Sequence, residues 1–193
     1  MSYASPSVPL IENPINLDAC LQSIQIALKA KLSWLDYSFG RATIGERVVD
    51  GTTRPKTYPQ AYAGKGQYVS VEPNNHYAAH SFMQLAGPEK PVEFDRFQRN
   101  IYTAEVEVVF LFDLDKINAK REIQYSHRFT EELKDDIKKA FRSMPEVKTV
   151  EAIYETPAEV FKGYSYNHLL HQTFKHPSGG FKFLISVSYL ENC

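Results

Sequence analysis

The chain has 193 residues, and its 22 Lys and Arg nearly balance 23 Asp and Glu to leave a formal charge of −1. That balance weighs against a broad basic footprint for nucleic acid. The length fits one domain that buries about 70% of its unfolded surface without disulfide staples. The sequence has neither an apolar run of 18 residues nor a basic-then-apolar leader, so a membrane span and a signal peptide are not expected. The expected setting is soluble and cytoplasmic, with Cys20 and Cys193 as reduced thiols.

In chain order, residues 1–15 are rich in Ser and Pro and read as an extended arm. Asn16 suits a helix N-cap and Asp18 the positive first turn. Leu17, Leu21, Ile24, Leu28 and Leu32 then form one apolar stripe, which predicts a helix over 17–34. From 33 to about 100 no helical period remains. Tyr37, Phe39, Val48 and Val49 sit in short strand-like runs, and Asp50-Gly51 is a hairpin signal. Two prolines, Pro55 and Pro59, argue against a central strand over 52–59. Residues 67–72 read as a short strand, and 73–100 as loop. So long a connection suggests a functional segment or one ordered by a partner.

Ala104, Val106, Val108, Phe110 and Phe112 define the buried face of a strand over 103–112; Val109 and Leu111 cover part of the other face. Thr130 is placed to cap a second helix, whose stripe is Leu133, Ile137, Phe141 and Met144 and which Pro145 ends. A strand over 147–155, a Tyr- and His-bearing loop over 156–180 and a strand over 181–190 complete the chain. The expected core is Leu17, Leu21, Ile24, Leu28, Val106, Val108, Phe110, Leu133, Ile137, Phe141, Ile185 and Val187. A hairpin over 50–66 is expected to lie outside it.

Little of this carries chemistry. His76 and His80 are four apart, and His168 and His171 three apart. Neither pair has the acidic residue of an HExxH site, and no cysteine stands at ligand spacing. Gly64-Lys65-Gly66 lacks the upstream glycine and the following hydroxyl of a phosphate loop, and reads as a turn. Asp113 and Asp115, near Glu122, lack the spacing of a calcium loop. Arg54, Lys56 and Lys65 interleave with Tyr58, Tyr62 and Tyr68, a composition that fits single-stranded nucleic acid or a polar-aromatic protein contact. The near-neutral total favours the protein contact.

The element order, with a helix first, an elaborated middle, then strand, helix and closing strand, resembles the α+β tail-terminator or tail-completion proteins of tailed bacteriophages. The run Thr53-Arg-Pro-Lys-Thr-Tyr-Pro-Gln-Ala-Tyr-Ala-Gly-Lys-Gly-Gln-Tyr-Val-Ser-Val-Glu-Pro-Asn-Asn-His76 is similar to structural proteins of head-to-tail modules in phages of Bacteroidota, among them neck ring proteins of crAss-like phages. The resemblance implies an α+β fold, with a mixed or antiparallel sheet packed by two helices. It implies a single domain over 16–193 elaborated by a loop or hairpin insertion at about 36–100, which exceeds a minimal tail terminator. It also implies a non-enzymatic virion protein without cofactor. Such a protein would form a ring of six or twelve copies beside a portal or other neck and tail proteins, with no membrane contact, and DNA would only pass through the lumen. The expected interface residues are Arg54, Lys56, Tyr58, Tyr62, Tyr68, Tyr77, Tyr164 and Tyr166. A nucleic-acid module built on 54–68 is the alternative, and a metal-dependent hydrolase using the histidines comes third.

Overall fold

The computed structural model of this protein describes residues 7–48, 55–73, 76–94, 100–118, 126–165 and 177–191. Helix α1 (Asn16–Lys31) ends three residues earlier than its stripe suggested. Asn16 is its first residue rather than its cap; it lies at φ 49°, and Ile15 takes the cap position without a side-chain hydrogen bond. The last turn carries Lys29, whose ammonium donates to the Leu35 carbonyl at 2.6 Å and so fastens the turn that follows the helix.

Eight strands form one mixed sheet in the order β3-β2-β1-β4-β6-β8-β7, with β5 also on β6. They are β1 (Tyr37–Arg47), β2 (Lys56–Gly64), β3 (Gln67–Ser70), β4 (Ala79–Leu85), β5 (Lys90–Phe94), β6 (Asn100–Asp113), β7 (Val147–Tyr154) and β8 (Ser178–Leu190). β1 runs parallel to β4, and the other pairings are antiparallel. Helix α3 (Ser126–Arg142) joins α1 over the sheet, while α2 (Leu114–Asn118) and α4 (Pro157–Val160) are short. The fold is the α+β sheet with helices that the sequence predicts.

Alternation along β6 decides which side each residue serves. Ala104, Val106, Val108, Phe110 and Phe112 face α1 and α3, joined there by Leu21, Ile24, Leu28, Leu133, Ile137 and Phe141. All twelve expected core residues are buried, none above 3% exposed. Val109 and Leu111 face the other way, into a second core with Phe39, Ala42, Ala61, Val71, Phe82, Val160 and Phe161. Residues of β2, in the wing formed by β1 to β3, and of β6 belong to that same core, with β1 and β4 between them in the sheet. The segment 157–165 covers this second face, with Val160 and Phe161 in the core. The Ser165 amide donates to the Thr57 carbonyl at 3.0 Å, which ties that segment to β2.

Several expectations are corrected. The 36–100 region is not a loop insertion beside the core: it holds β1 to β5, and β4 is an interior strand between β1 and β6. Asp50 and Gly51 lie outside the described residues, but 55–66 is not outside the core, since β2 pairs with strands on both sides and buries Pro59, Ala61 and Ala63. Pro59 is tolerated there for a specific reason. The Val71 amide donates to the Pro59 carbonyl at 3.0 Å, so the reciprocal donor to the Val71 carbonyl would be the N–H that proline lacks. The buried His80 Nε2 lies 3.0 Å from that carbonyl and supplies the missing donor. A carbonyl can only accept, so the His80 proton is on Nε2. The second helix also begins earlier than expected. Thr130 is inside α3, and Phe129, at 1% exposed, extends the stripe one turn toward the N-terminus.

Candidate functional site

β2 alternates cleanly. Pro59, Ala61 and Ala63 point inward, while Lys56, Tyr58, Gln60 and Tyr62 point out, half-exposed. The register with β1 and β3 sets Gly45 beside Tyr58, Thr43 beside Gln60 and Tyr68 beside Tyr62. Small residues underneath let the wing pack closely, and large polar-aromatic ones lie on top. Gly45 lets these side chains lie close over β1: a Cβ there would stand 2.8 Å from Tyr58 Cζ and 2.9 Å from Gln60 Oε1, and both side chains would have to shift. Tyr62 and Tyr68 meet edge to face at 5.8 Å, and Tyr68 is 55% exposed. The Gly64-Lys65-Gly66 run makes the β2–β3 turn with all three residues at positive φ, which is a backbone task rather than phosphate binding.

The two arginines on this face are already engaged. Arg47 reaches over the Tyr58 ring at 5.1 Å and grips Glu72 through both guanidinium nitrogens at 2.9 Å. Glu72 is further held by the Ser70 hydroxyl at 2.8 Å. Arg41 stands 3.6 Å from Asp18 of α1, an ion pair beyond hydrogen-bond reach. Between the arm, the start of α1 and this sheet face lies a cleft of about 720 Å³, lined by Glu12, Asp18, Arg41, Tyr62, Lys65 and Tyr68 among others. Its walls mix both signs of charge with two aromatic rings.

On the opposite face a part-buried polar chain crosses three strands and the closing segment. Lys182, at 1% exposed, pairs with Glu107 at 2.8 Å. Gln84 donates to Glu107, and the Tyr164 hydroxyl donates to Gln84 Oε1 at 2.5 Å. Burial, and then the nearby Glu107 charge, push the Tyr164 hydroxyl up to about 12, so it stays a donor. The chain opens onto a second cleft of about 570 Å³ between β1 and β4.

The expected interface residues therefore separate into groups. Lys56, Tyr58, Tyr62 and Tyr68 share the outer wing face, as the interleaving suggested. Tyr77 belongs to the second core, against Tyr37 at 4.2 Å and His80 at 5.4 Å, and burial raises its pKa. Tyr164 is a clasp on the opposite face. Arg54 and Tyr166 lie outside the described residues, as do His168 and His171. His76 is exposed, whereas His80 is buried and committed to Val71, so the two are not a ligand pair. Burial drives the His80 imidazole down to about 4, which keeps it neutral; its hydrogen bond to Val71 and the Asp36 charge oppose that shift. Asp113 is a cap: its carboxylate accepts from the Asp115 and Lys116 amides at 3.1 and 3.3 Å. Burial pushes the Cys20 thiol up to about 12, and Glu146 adds to the effect, which leaves the thiol unreactive. Sequence reasoning missed Gln84, Glu107 and Lys182. The one available signal was Lys182, a lysine inside an otherwise apolar strand.

Among the described residues, no group of three or more His, Cys, Asp or Glu is placed to hold a metal ion. No helix there is long and apolar enough to cross a membrane. No family model matches this chain, and no curated protein or solved structure matches it.

Proposed function

We propose that this protein is a structural subunit that self-associates into a ring of six or twelve copies at the neck or tail of a bacteriophage. In that setting it would contact a portal or other neck and tail proteins, and DNA would pass through the lumen only. The observation that carries this reading is the outer wing face, where Tyr58, Tyr62 and Tyr68 present half-exposed rings while Arg47 and Arg41 are neutralised by Glu72 and Asp18. Rings that are apolar on one side and polar at the tip, with the two arginines already paired, suit a protein–protein contact. The resemblance in element order to tail-completion proteins supplies the virion setting. A ring further requires two different complementary surfaces on each subunit, with a rotation that closes.

The same tyrosines beside Lys65 favour one second reading, a single-strand binding module. Against it stand the two intramolecular arginine pairs and the acidic Glu12 and Asp18 in the cleft. Light scattering at several concentrations, with electron microscopy of the same samples, tests the proposal. The expected particle has six or twelve times the 22.1 kDa chain mass and a ring outline. A chain that stays monomeric, and whose affinity for single-stranded DNA falls steeply with salt, would move the second reading to first place.

A further inference from the structure

We infer that the groove between α1 and β1 takes the arm of a neighbouring copy of this chain, so that adjacent subunits exchange residues 7–12 when they assemble. The occupant is visible in the subunit itself, seated in its own groove. The Ser38 amide donates to the Ser7 carbonyl at 2.9 Å, Gln25 Nε2 to the Pro9 carbonyl at 3.0 Å, and the Ile11 amide to Gln22 Oε1 at 2.7 Å. Three alternate residues thus turn their backbone groups to one side, as an extended segment does. Gln25 is built into this groove. It is 2% exposed, and its amide also donates to the Ser38 carbonyl at 2.7 Å. Gly40 leaves room for it, since a Cβ there would stand 3.1 Å from Gln25 Oε1. A strand edge and a buried amide that bond main-chain groups form an acceptor for an added segment.

The join between arm and helix is where the closed arrangement is strained. Asn13 lies at φ 51° and Asn16 at φ 49°. Asparagine tolerates this left-handed region better than most residues, but it still costs more there than in extended backbone. Asn13 also precedes Pro14, a position that favours extended backbone. Asn16 is by nature a good N-cap, yet Ile15 holds the cap of α1 without a side-chain hydrogen bond. Extended backbone at Asn13 and Asn16 would remove both strains and let Asn16 cap the helix. That change redirects the arm away from its own groove. A strained hinge beside a docked segment is the arrangement that favours exchange between identical copies.

Position and chemistry both indicate a second copy as the partner. Ile11 and Glu12 of the arm line the 720 Å³ cleft together with Tyr62 and Tyr68. A copy seated on the outer wing face therefore meets the arm directly. Leu10, Ile11 and Ile15 are 45%, 38% and 64% exposed in the subunit, apolar area that a neighbour can cover. An arm and a groove are also two different surfaces, as a closed ring requires of each subunit. The inference rests on the self-association proposed above and adds the contact that links one copy to the next.

The test co-expresses two variants, Ile11→Cys and Gln22→Cys, each also carrying Cys193→Ser, and treats the assembled particle with a short bismaleimide. Cys20 is buried, so each chain offers one thiol to the reagent. Exchange brings the thiols of different chains together and predicts a band at twice the chain mass in denaturing electrophoresis. Neither variant assembled alone should give that band. A particle that assembles without it overturns the exchange and leaves the ring standing. An equal band from either variant alone also overturns it, because the thiols would then report another contact. A wild-type chain that never associates overturns both. If the cysteine variants fail to assemble where wild type does, Asn13→Ala decides. Alanine is strained at φ 51° and at ease in an extended hinge, so this variant should associate about threefold more tightly than wild type. Unchanged or weaker association overturns the inference.

Discussion

The two faces of the sheet are built from different materials. On the helical side, Phe110 touches Trp34, Phe141 and Phe183 at ring distances of 5.8 to 6.4 Å, and Leu, Ile and Val from α1 and α3 fill the remaining space. On the wing side the packing between strands depends on Ala42, Ala61, Ala63, Gly45 and Pro59, and polar groups such as His80 and Lys182 are buried with partners. Large apolar side chains give the first region its stability. Small ones line the inner side of β2 in the second, and its outer side carries rings and charges. The register from β6 through β4 and β1 places Tyr58 and Tyr62 on the helical side of the sheet, so the covered core and the open wing surface are neighbouring parts of one face.

The comparison can be broken by substitution, and the largest effects belong to the helical side. Phe110→Ala should cost about 3–5 kcal/mol and Ile137→Ala about 2–5 kcal/mol in urea unfolding. A loss below about half a kcal/mol in either would mean that this core collapses without harm. Glu107→Ala should be comparable, about 3–5 kcal/mol, because it strands a buried ammonium. Replacing both partners, Lys182→Met with Glu107→Leu, should be far milder; an equally damaging double change would contradict the pairing argument.

A smaller effect is expected with pH. The native His80 titrates at about 4, against about 6.5 in the unfolded chain. The unfolded state therefore binds the proton first, and the stability that His80 contributes is complete above pH 6.5. It declines as pH falls toward 4, by about 3 kcal/mol over the whole interval. His80→Gln should flatten this dependence while retaining a donor for Val71. A pH profile that the substitution does not alter would show that His80 is not the group responsible. Smallest of all for the subunit, Tyr62→Ser with Tyr68→Ser should change its stability by less than about 1 kcal/mol yet remove self-association.

The helical side was legible because periodicity and burial coincide there. Leu17 to Leu28, Leu133 to Phe141 and the alternation from Ala104 to Phe112 each describe one face of one element. The wing was not legible for reasons that particular residues make plain. Pro59 reads as a strand breaker, and only tertiary structure supplies the His80 imidazole that replaces its missing donor. β4 reads as loop because it is buried on both faces, so its polarity does not alternate. His80 and Ser81 sit inside it, satisfied by Val71 and Ser38. Thr130 misled in a different way: Glu131 and Glu132 imitate an acidic first turn, while Glu132 pairs with Arg128 one turn earlier inside the helix. The outer face was partly visible, since Lys56, Tyr58, Tyr62 and Tyr68 follow the strand alternation. Tyr77 and Tyr164 shared their composition but are committed to Tyr37, His80 and Gln84 within the fold.

Oxidative footprinting of tyrosine and phenylalanine side chains, in the free subunit and in the assembly, tests this division most directly. Tyr58, Tyr62 and Tyr68 should react in the subunit and become protected in the assembly, while Phe110, Phe141 and Phe183 stay unreactive in both. Equal reactivity of the three tyrosines in both states would contradict the account and place the interface on another surface.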